Sequence, residues 1–415
     1  MTTKNTKIDT LLINGLTHDG RGVGHFEGKA IFVDGAVPGD TVSANITKHH
    51  DNFDDATCLK IDPPSPDRTT PFCPVYETCG GCQLQHLSLE AQRHWKNKNF
   101  ITQLTQAVDA RQCQEEASIV GDGQHYRRRV RLSLVISKKD KVARLGFKQK
   151  SSTDVVDIDT CPMLTKPLNQ AIQANKSALL ETASRAMKEV SLVEADQGVF
   201  GLPNAPTTTQ PTYTLNTQPP LKLSFPETGF IQVNQALNEK MIAQALHWLD
   251  LQPNHHVLDL FCGVGNFTLP IAQQVQKIVG IEGEQNLVDT ANHNAQNNQL
   301  DNVTAYKGDL FDEITPKPWF KKQTYDRILL DPGRQGAFNA CKQLGKLKAQ
   351  IIVYVSCNVA TLIRDIKELE KQGYRLTKAG MIDMFPHTTH TEVMVQLTRT
   401  HKPLKKPKSR PVFKI

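Results

Sequence analysis

From residue 237 to residue 398 the chain alternates apolar runs of strand length with amphipathic runs of helix length, and this alternation restricts the fold more than any other feature. A helix from Leu237 to Leu249 leads into Val257-Leu-Asp-Leu-Phe261, a glycine turn, a helix from Thr268 to Gln276 and a strand from Ile278 to Glu282. A helix from Gln285 to Asn297 follows, then strands at 303–306, 327–331 and 351–355, a helix at 359–372, and a hairpin-like pair, 379–384 with 392–398. Parallel strands buried on both faces read as short continuous apolar runs, and each needs a crossover to reach the next. The expected fold is α/β, a doubly wound Rossmann-like sheet.

A chain of 415 residues is too long for one ordinary core, so two or three domains are expected. Residues 8–61 carry strand-like runs such as Ile31-Phe-Val33 and Val42-Ser-Ala-Asn-Ile46 between Asp-Gly and Pro-Gly turns. They suggest a small OB-like β-barrel, a common platform for single-stranded RNA. Residues 62–71 form a proline-rich linker. Residues 88–107 read as a helix capped by Ser88. A strand-rich region spans 126–160, a helical stretch runs from about 166 to 190, and 203–220 look like a loop and hairpin boundary.

Positive charge is concentrated. Residues 127–150 hold ten Lys and Arg against the single acid Asp140, and 399–415 hold seven with no acid; without these segments 32 bases face 41 acids. Such clustering suits a phosphate backbone, although a solvated face and a frayed tail are the plainer readings. No apolar run approaches the roughly 20 residues of a membrane helix, and the N-terminus lacks a signal-peptide core. A cytoplasmic protein with no membrane association is expected. Nine cysteines in such a chain argue for metal binding, catalysis or packing rather than a disulfide framework.

The turn Asp259-Leu-Phe-Cys-Gly-Val-Gly-Asn-Phe267 lets backbone approach a ligand, and Glu282 ends the next strand, where an acid can accept from both ribose hydroxyls. The third glycine of a dinucleotide fingerprint is missing, so S-adenosyl-L-methionine fits better than NAD. Asp331-Pro-Gly-Arg334 and Val355-Ser-Cys-Asn358 end neighbouring strands, where substrate lies in an open α/β sheet. Cys357 then precedes a helix start, placed for thiolate activation. A thiolate adding to carbon 6 of uracil makes carbon 5 nucleophilic toward a sulfonium methyl, and a base must then remove the carbon-5 proton. Glu392, a lone acid leading an apolar strand, is the candidate base; its plainer reading is an edge-strand charge.

Taken together, Leu258-Asp-Leu-Phe-Cys-Gly-Val-Gly-Asn-Phe267, Asp331-Pro-Gly-Arg-Gln-Gly-Ala337, Val355-Ser-Cys-Asn358 and His390-Thr-Glu-Val-Met-Val-Gln-Leu397 resemble the RNA 5-methyluridine methyltransferase family in order and spacing. Gly20-Arg-Gly-Val-Gly24 and Val37-Pro-Gly-Asp40 resemble its TRAM domain, a small RNA-binding barrel. The resemblance covers nearly the whole chain, except the loops near 205–220 and the basic tail. It implies Cys357 as nucleophile and Glu392 as base. It also implies that Gln232, Phe261, Glu282 and Asp331 contact the cofactor or the base edge, with Asn266 in the glycine turn. Asp309 falls where the family has a polar residue facing the adenine.

The branch that joins TRAM, four cysteines and this catalytic domain methylates 23S rRNA, at a uridine expected at position 1939. The implied organisation is a TRAM barrel over 1–62, a central domain from 63–84 with 117–229, and a methyltransferase domain from 85–116 with 230–415. A monomer is expected.

Cys73, Cys79 and Cys82 have the spacing C-x5-C-x2-C. Radical enzymes that cleave the same cofactor use C-x3-C-x2-C, and zinc sites usually pair two close cysteine pairs. A [4Fe–4S] cluster needs four thiolates. Cys161 is the expected fourth, and the resemblance points there too; Cys58 competes, and zinc stays open. Two further readings remain. An RNA-binding assembly factor with a dead site should have lost one of the motif residues. A DNA cytosine-5 methyltransferase would carry Pro-Cys, where this chain has Ser356 before Cys357.

Overall fold

The computed structural model describes residues 6–202, 210–321 and 323–400, so most of the basic tail and part of the expected 203–220 loop lie outside the described residues. Strands β1 (Lys7–Leu16), β2 (Gly22–Phe26), β3 (Lys29–Asp34), β4 (Thr41–His49) and β5 (Phe53–Ile61) close into a barrel in the order β1-β2-β3-β5-β4. Alternate residues such as Ile31, Val33, Val42 and Ala44 point inward and form its core. Helix α1 (Leu89–Ala107) follows, with the Ser88 side chain accepting from Ala91 N. Phe100 and Leu104 of α1 sit in the core of the large sheet. Strand β6 (Gln114–Glu115) pairs at that sheet's edge.

A second sheet uses β7 (Arg129–Ile136), β8 (Ala143–Lys148), β9 (Val155–Asp157), β10 (Lys188–Ala195) and β11 (Gly198–Phe200), all antiparallel, in the order β11-β10-β7-β8-β9. Helix α2 (Lys166–Glu181) covers it through Leu168, Ile172 and Leu179. The helix expected to reach 190 therefore ends at Glu181. Residues from Lys188 onward instead pair with β7, because Leu192 and Val190 alternate into the same core.

A hairpin, β12 (Thr212–Leu215) with β13 (Leu221–Ser224), leads to α3 (Gln235–Leu249). Then come β14 (His256–Leu260), α4 (Thr268–Ala272), β15 (Lys277–Glu282), α5 (Gln285–Asn297), β16 (Val303–Lys307), β17 (Arg327–Leu330), α6 (Phe338–Leu344), β18 (Ile351–Ser356), α7 (Val359–Lys371), β19 (Tyr374–Ile382) and β20 (Glu392–Arg399). Helix α4 is shorter than the expected 268–276. Gln274 N turns back to Ile271 O, and Gln276 N donates to His255 O as the chain enters β15.

The eight-stranded sheet runs β16-β15-β14-β17-β18-β20-β19-β6. Strands β14 to β18 are parallel, and β20 is antiparallel to both β18 and β19. Chain order proceeds from β14 toward β16 on one side and resumes at β17 on the other. The carboxyl ends of β14 and β17 therefore border the crevice where such sheets bind ligands. Among the described residues no helix is long and apolar enough to cross a membrane.

Candidate active site

The turn after β14 folds over the end of β15. Phe261 N and Cys262 N both donate to Ile281 O, at 2.8 and 3.1 Å. Phe261 adopts φ +67° and Gly265 φ +100°. A Cβ on Gly265 would lie 2.3 Å from Leu269 Cδ1, so the site excludes alanine on both backbone and steric grounds. Gly265→Ala is expected to cost on the order of 1–3 kcal/mol of stability and to weaken cofactor binding, measurable by thermal melts and calorimetric titration.

Glu282 is fixed by this turn. Its Oε2 accepts from Gly263 N at 3.0 Å and its Oε1 from Gly283 N at 2.6 Å. Asn266 is committed to structure. Its Oδ1 accepts from Asn238 Nδ2 and from Tyr213 OH, and its Nδ2 donates back to Asn238 Oδ1. Asp259 keeps Oδ2 on Thr268 Oγ1 at 2.6 Å, and burial pushes its carboxyl up to about 8.

On the other side of the crevice, strand pairing decides the geometry. Ser356 of β18 pairs with Val393 of β20 in antiparallel register, so the next residue of each strand direction sets Cys357 opposite Glu392. Asn358 caps α7, its Oδ1 accepting from Ala360 N and Thr361 N. Burial is the main reason the Cys357 thiol rises to about 11; Glu392 and Asp331 add to this and Arg334 opposes it. The helix start beside Cys357 was expected to lower its pKa, and burial with two carboxyls outweighs it. Burial and Asp331 push Glu392 up to about 8, and burial pushes Asp331 up to about 7.

These groups share one cavity of about 670 Å3, lined by Gln232, Phe261, Asn266, Glu282, Asp331, Cys357 and Glu392. Asp309 is not part of its wall. That side chain is exposed after β16, with Oδ1 accepting from Phe311 N at 2.8 Å. The Phe311 ring instead approaches Phe261, 5.9 Å between centroids. The cavity has a carboxylate held by a glycine turn at one end and a thiol facing a buried carboxyl at the other. That pairing suits cofactor binding followed by covalent activation of a base.

A family model described as tRNA (Uracil-5-)-methyltransferase matches residues 217–400, and a TRAM domain model matches residues 4–59. The Vibrio cholerae protein named 23S rRNA (uracil(1939)-C(5))-methyltransferase RlmD is 40% identical, with 94% of this chain and 96% of that protein covered. A relative of the same name from Shewanella sp. strain ANA-3 is 38% identical over 92% of this chain and 94% of that protein. The chain belongs to the RNA uracil-5 methyltransferase family. In fold it is also similar to Pyrococcus abyssi tRNA (uracil-54, C5)-methyltransferase, solved with S-adenosyl-L-homocysteine, at TM-score 0.73 and 22% identity over 94% of this chain and 100% of that one.

In this RNA uracil-5 methyltransferase the basic segment divides. Arg128 and Arg129 are buried and structural: Arg128 Nε donates to Gln232 O and Arg129 Nη2 to Thr228 O, each through a guanidinium turned inward. Arg131, Lys148 and Lys150 instead line a groove of about 1620 Å3 between the central sheet and the barrel, which contributes Arg21. Arg68, from the linker, also faces it.

Cys73, Cys79, Cys82 and Cys161 line a separate cavity of about 580 Å3, whereas Cys58 sits on β5 of the barrel. None of the four is in a disulfide, and among the described residues no group of three or more His, Cys, Asp or Glu is arranged to hold a metal ion. Burial and the neighbouring sulfurs push Cys82 up to about 12 and raise Cys79 and Cys161. Main-chain bonds fix the cysteine segment to β8: Gly80 N donates to Lys148 O and Lys150 N to Thr78 O. Sequence reasoning passes over Phe230, which is 70% exposed and borders both the cysteine cavity and the catalytic one. A lone phenylalanine in a strand-like run carries no signal that separates an exposed ring from a core one.

Proposed function

We propose that the protein methylates carbon 5 of one uridine in 23S rRNA, the counterpart of uracil 1939 named for its relatives. The observation that carries this reading is that Cys357 and Glu392, each one residue beyond the last β18–β20 pair of Ser356 with Val393, line the cavity that also holds Glu282. S-adenosyl-L-methionine, when bound, supplies an electrophilic methyl group. Gln232, Phe261, Glu282 and Asp331 would hold cofactor and base, with Asn266 bracing the turn through Asn238. Cys357 would add to carbon 6, carbon 5 would then take the methyl group as its bond to the cofactor sulfur breaks and the thioether departs, and Glu392 would remove the carbon-5 proton as the Cys357 thiolate leaves. The barrel and the Arg131–Lys148–Lys150 groove would grip the surrounding RNA as a monomer. The target uracil must leave its stack to reach the cavity.

The test is methyl transfer from labelled cofactor to 23S rRNA fragments and to tRNA, with 5-methyluridine mapped. Incorporation at one 23S uridine supports the proposal. Incorporation into tRNA alone overturns the target, and absence from both RNAs by cofactor-binding protein overturns the activity.

For the cysteine cavity the same reading includes a [4Fe–4S] cluster on Cys73, Cys79, Cys82 and Cys161. The fit rests on four cysteines, none in a disulfide, around one cavity, three of them with raised thiol pKa values that a metal would relieve. The cluster would tie the 73–82 segment to the Cys161 turn and carry no electron in the methyl transfer. Anaerobically purified protein should then contain iron and acid-labile sulfide, both lost in Cys161→Ser. Zinc in place of iron would overturn the assignment.

A further inference from the structure

A second cavity, of about 360 Å3, opens beside Cys357. It shares Arg334, Cys357, His390 and Thr391 with the catalytic cavity. Its far wall is the barrel turn Thr17–Gly20. That turn packs closely: a Cβ on Gly20 would lie 2.9 Å from Thr389 Cγ2 and 3.1 Å from Leu84 Cδ2. Asn99 Nδ2 of α1 donates to Leu16 O at 2.9 Å and holds the barrel to the catalytic domain. The space is thus built by three elements locked together, and beyond the shared edge at Cys357 neither the methyl transfer nor the cysteine site uses it.

Its chemistry is that of a nucleobase site. Val359 and Ala360 supply apolar surface over the buried Leu84 and Phe100 side chains, while Gln103, Asn358 and His18 supply polar groups at the rim. A base needs apolar contact together with edge hydrogen bonds. The volume is small for a larger ligand and ample for one base. Arg334 borders both cavities, where a phosphate joining two nucleotides would pass.

We propose that this cavity is a second nucleotide subsite, which takes the base adjacent to the target uridine in the same strand. The inference rests on the RNA-methylating reading of the catalytic cavity and names a specificity determinant for it. The barrel thereby reads sequence beside the reacting base, in addition to holding the backbone.

Two variants fill the cavity from exposed positions, Ala360→Trp on α7 and Gln103→Trp on α1. Each is assayed beside wild type on an RNA fragment carrying the target loop, and on the same fragment made abasic at each flanking nucleotide. In wild type, one abasic position should raise KM roughly 10- to 100-fold, the scale of one lost stacking contact. The tryptophan variants should show that rise already on intact RNA, with kcat within a few-fold, and no further rise with the abasic fragment. Unchanged KM on intact RNA in both variants, or a full abasic penalty in both, overturns the subsite. Unaltered cofactor titration shows that a variant is folded, and two variants guard against one that is not. Absence of methylation by wild type would instead overturn the activity reading on which the subsite depends.

Discussion

Cys357→Ala is expected to abolish methyl transfer, by at least about 10^4-fold, while cofactor binding stays within about twofold. Carbon 5 of uracil is too weak a nucleophile to take the methyl unaided, and no other sulfur lines the catalytic cavity near the β18–β20 pair except Cys262. Cys262 is buried behind the glycine turn, with Gly280 against its Sγ, and its thiol is pushed well above the usual range by burial. It cannot substitute. The substitution removes one sulfur from a half-buried turn residue, so the fold should survive. Side-by-side label incorporation and cofactor titration check both halves of the expectation. Retained turnover in the alanine variant would remove the covalent step from the proposal.

The same site fixes a pH dependence. Cys357 must lose its proton to attack, and burial sets its thiol at about 11 in the free protein. Well below that value the thiolate fraction grows tenfold for each pH unit, so kcat/KM measured from pH 6 to 9 should climb steadily. A flat profile would mean that RNA and cofactor binding reset the thiol before the attack.

The sequence carried the fold of the large sheet because each parallel strand is buried on both faces. Val257 to Leu260 and Arg327 to Leu330 read as unbroken apolar or buried runs and sit at the centre of that sheet. The error at 182–190 arose where a strand of a smaller sheet follows a helix without a strong breaker; pairing with β7 decided that segment, and pairing is not visible locally. Motif residues were legible because strand ends place them in the crevice. Asp309 also follows a strand end; it lies outside the cavity wall, with Oδ1 accepting from Phe311 N. Asn266 was legible by position only. The sequence could not tell that Asn238, 28 residues upstream, would occupy its amide. The basic cluster misled in part, since Arg128 and Arg129 turn inward to bind carbonyls from a distant loop.

Glu392→Gln is expected to slow turnover by roughly 10^2- to 10^4-fold and to accumulate protein joined to RNA through Cys357. The amide cannot accept the carbon-5 proton, so addition and methyl transfer proceed while elimination stalls. A slower-migrating band on a denaturing gel, lost when Cys357→Ala is added, is the readout; an unmodified rate would return Glu392 to a structural role. Stability separates the two roles further. Burial raises the carboxyl from 4.5 to about 8, so the folded state holds a proton that the unfolded chain releases. Wild-type stability from this group is therefore intact below about pH 4.5 and falls as pH rises toward 8. Glutamine stays neutral throughout. The variant should match wild type near pH 4.5 and exceed it at pH 9 by on the order of 2–5 kcal/mol in cofactor-free melts. Glu392 must release this proton before it can accept the one from carbon 5, and keeping the carboxyl buried costs stability at working pH.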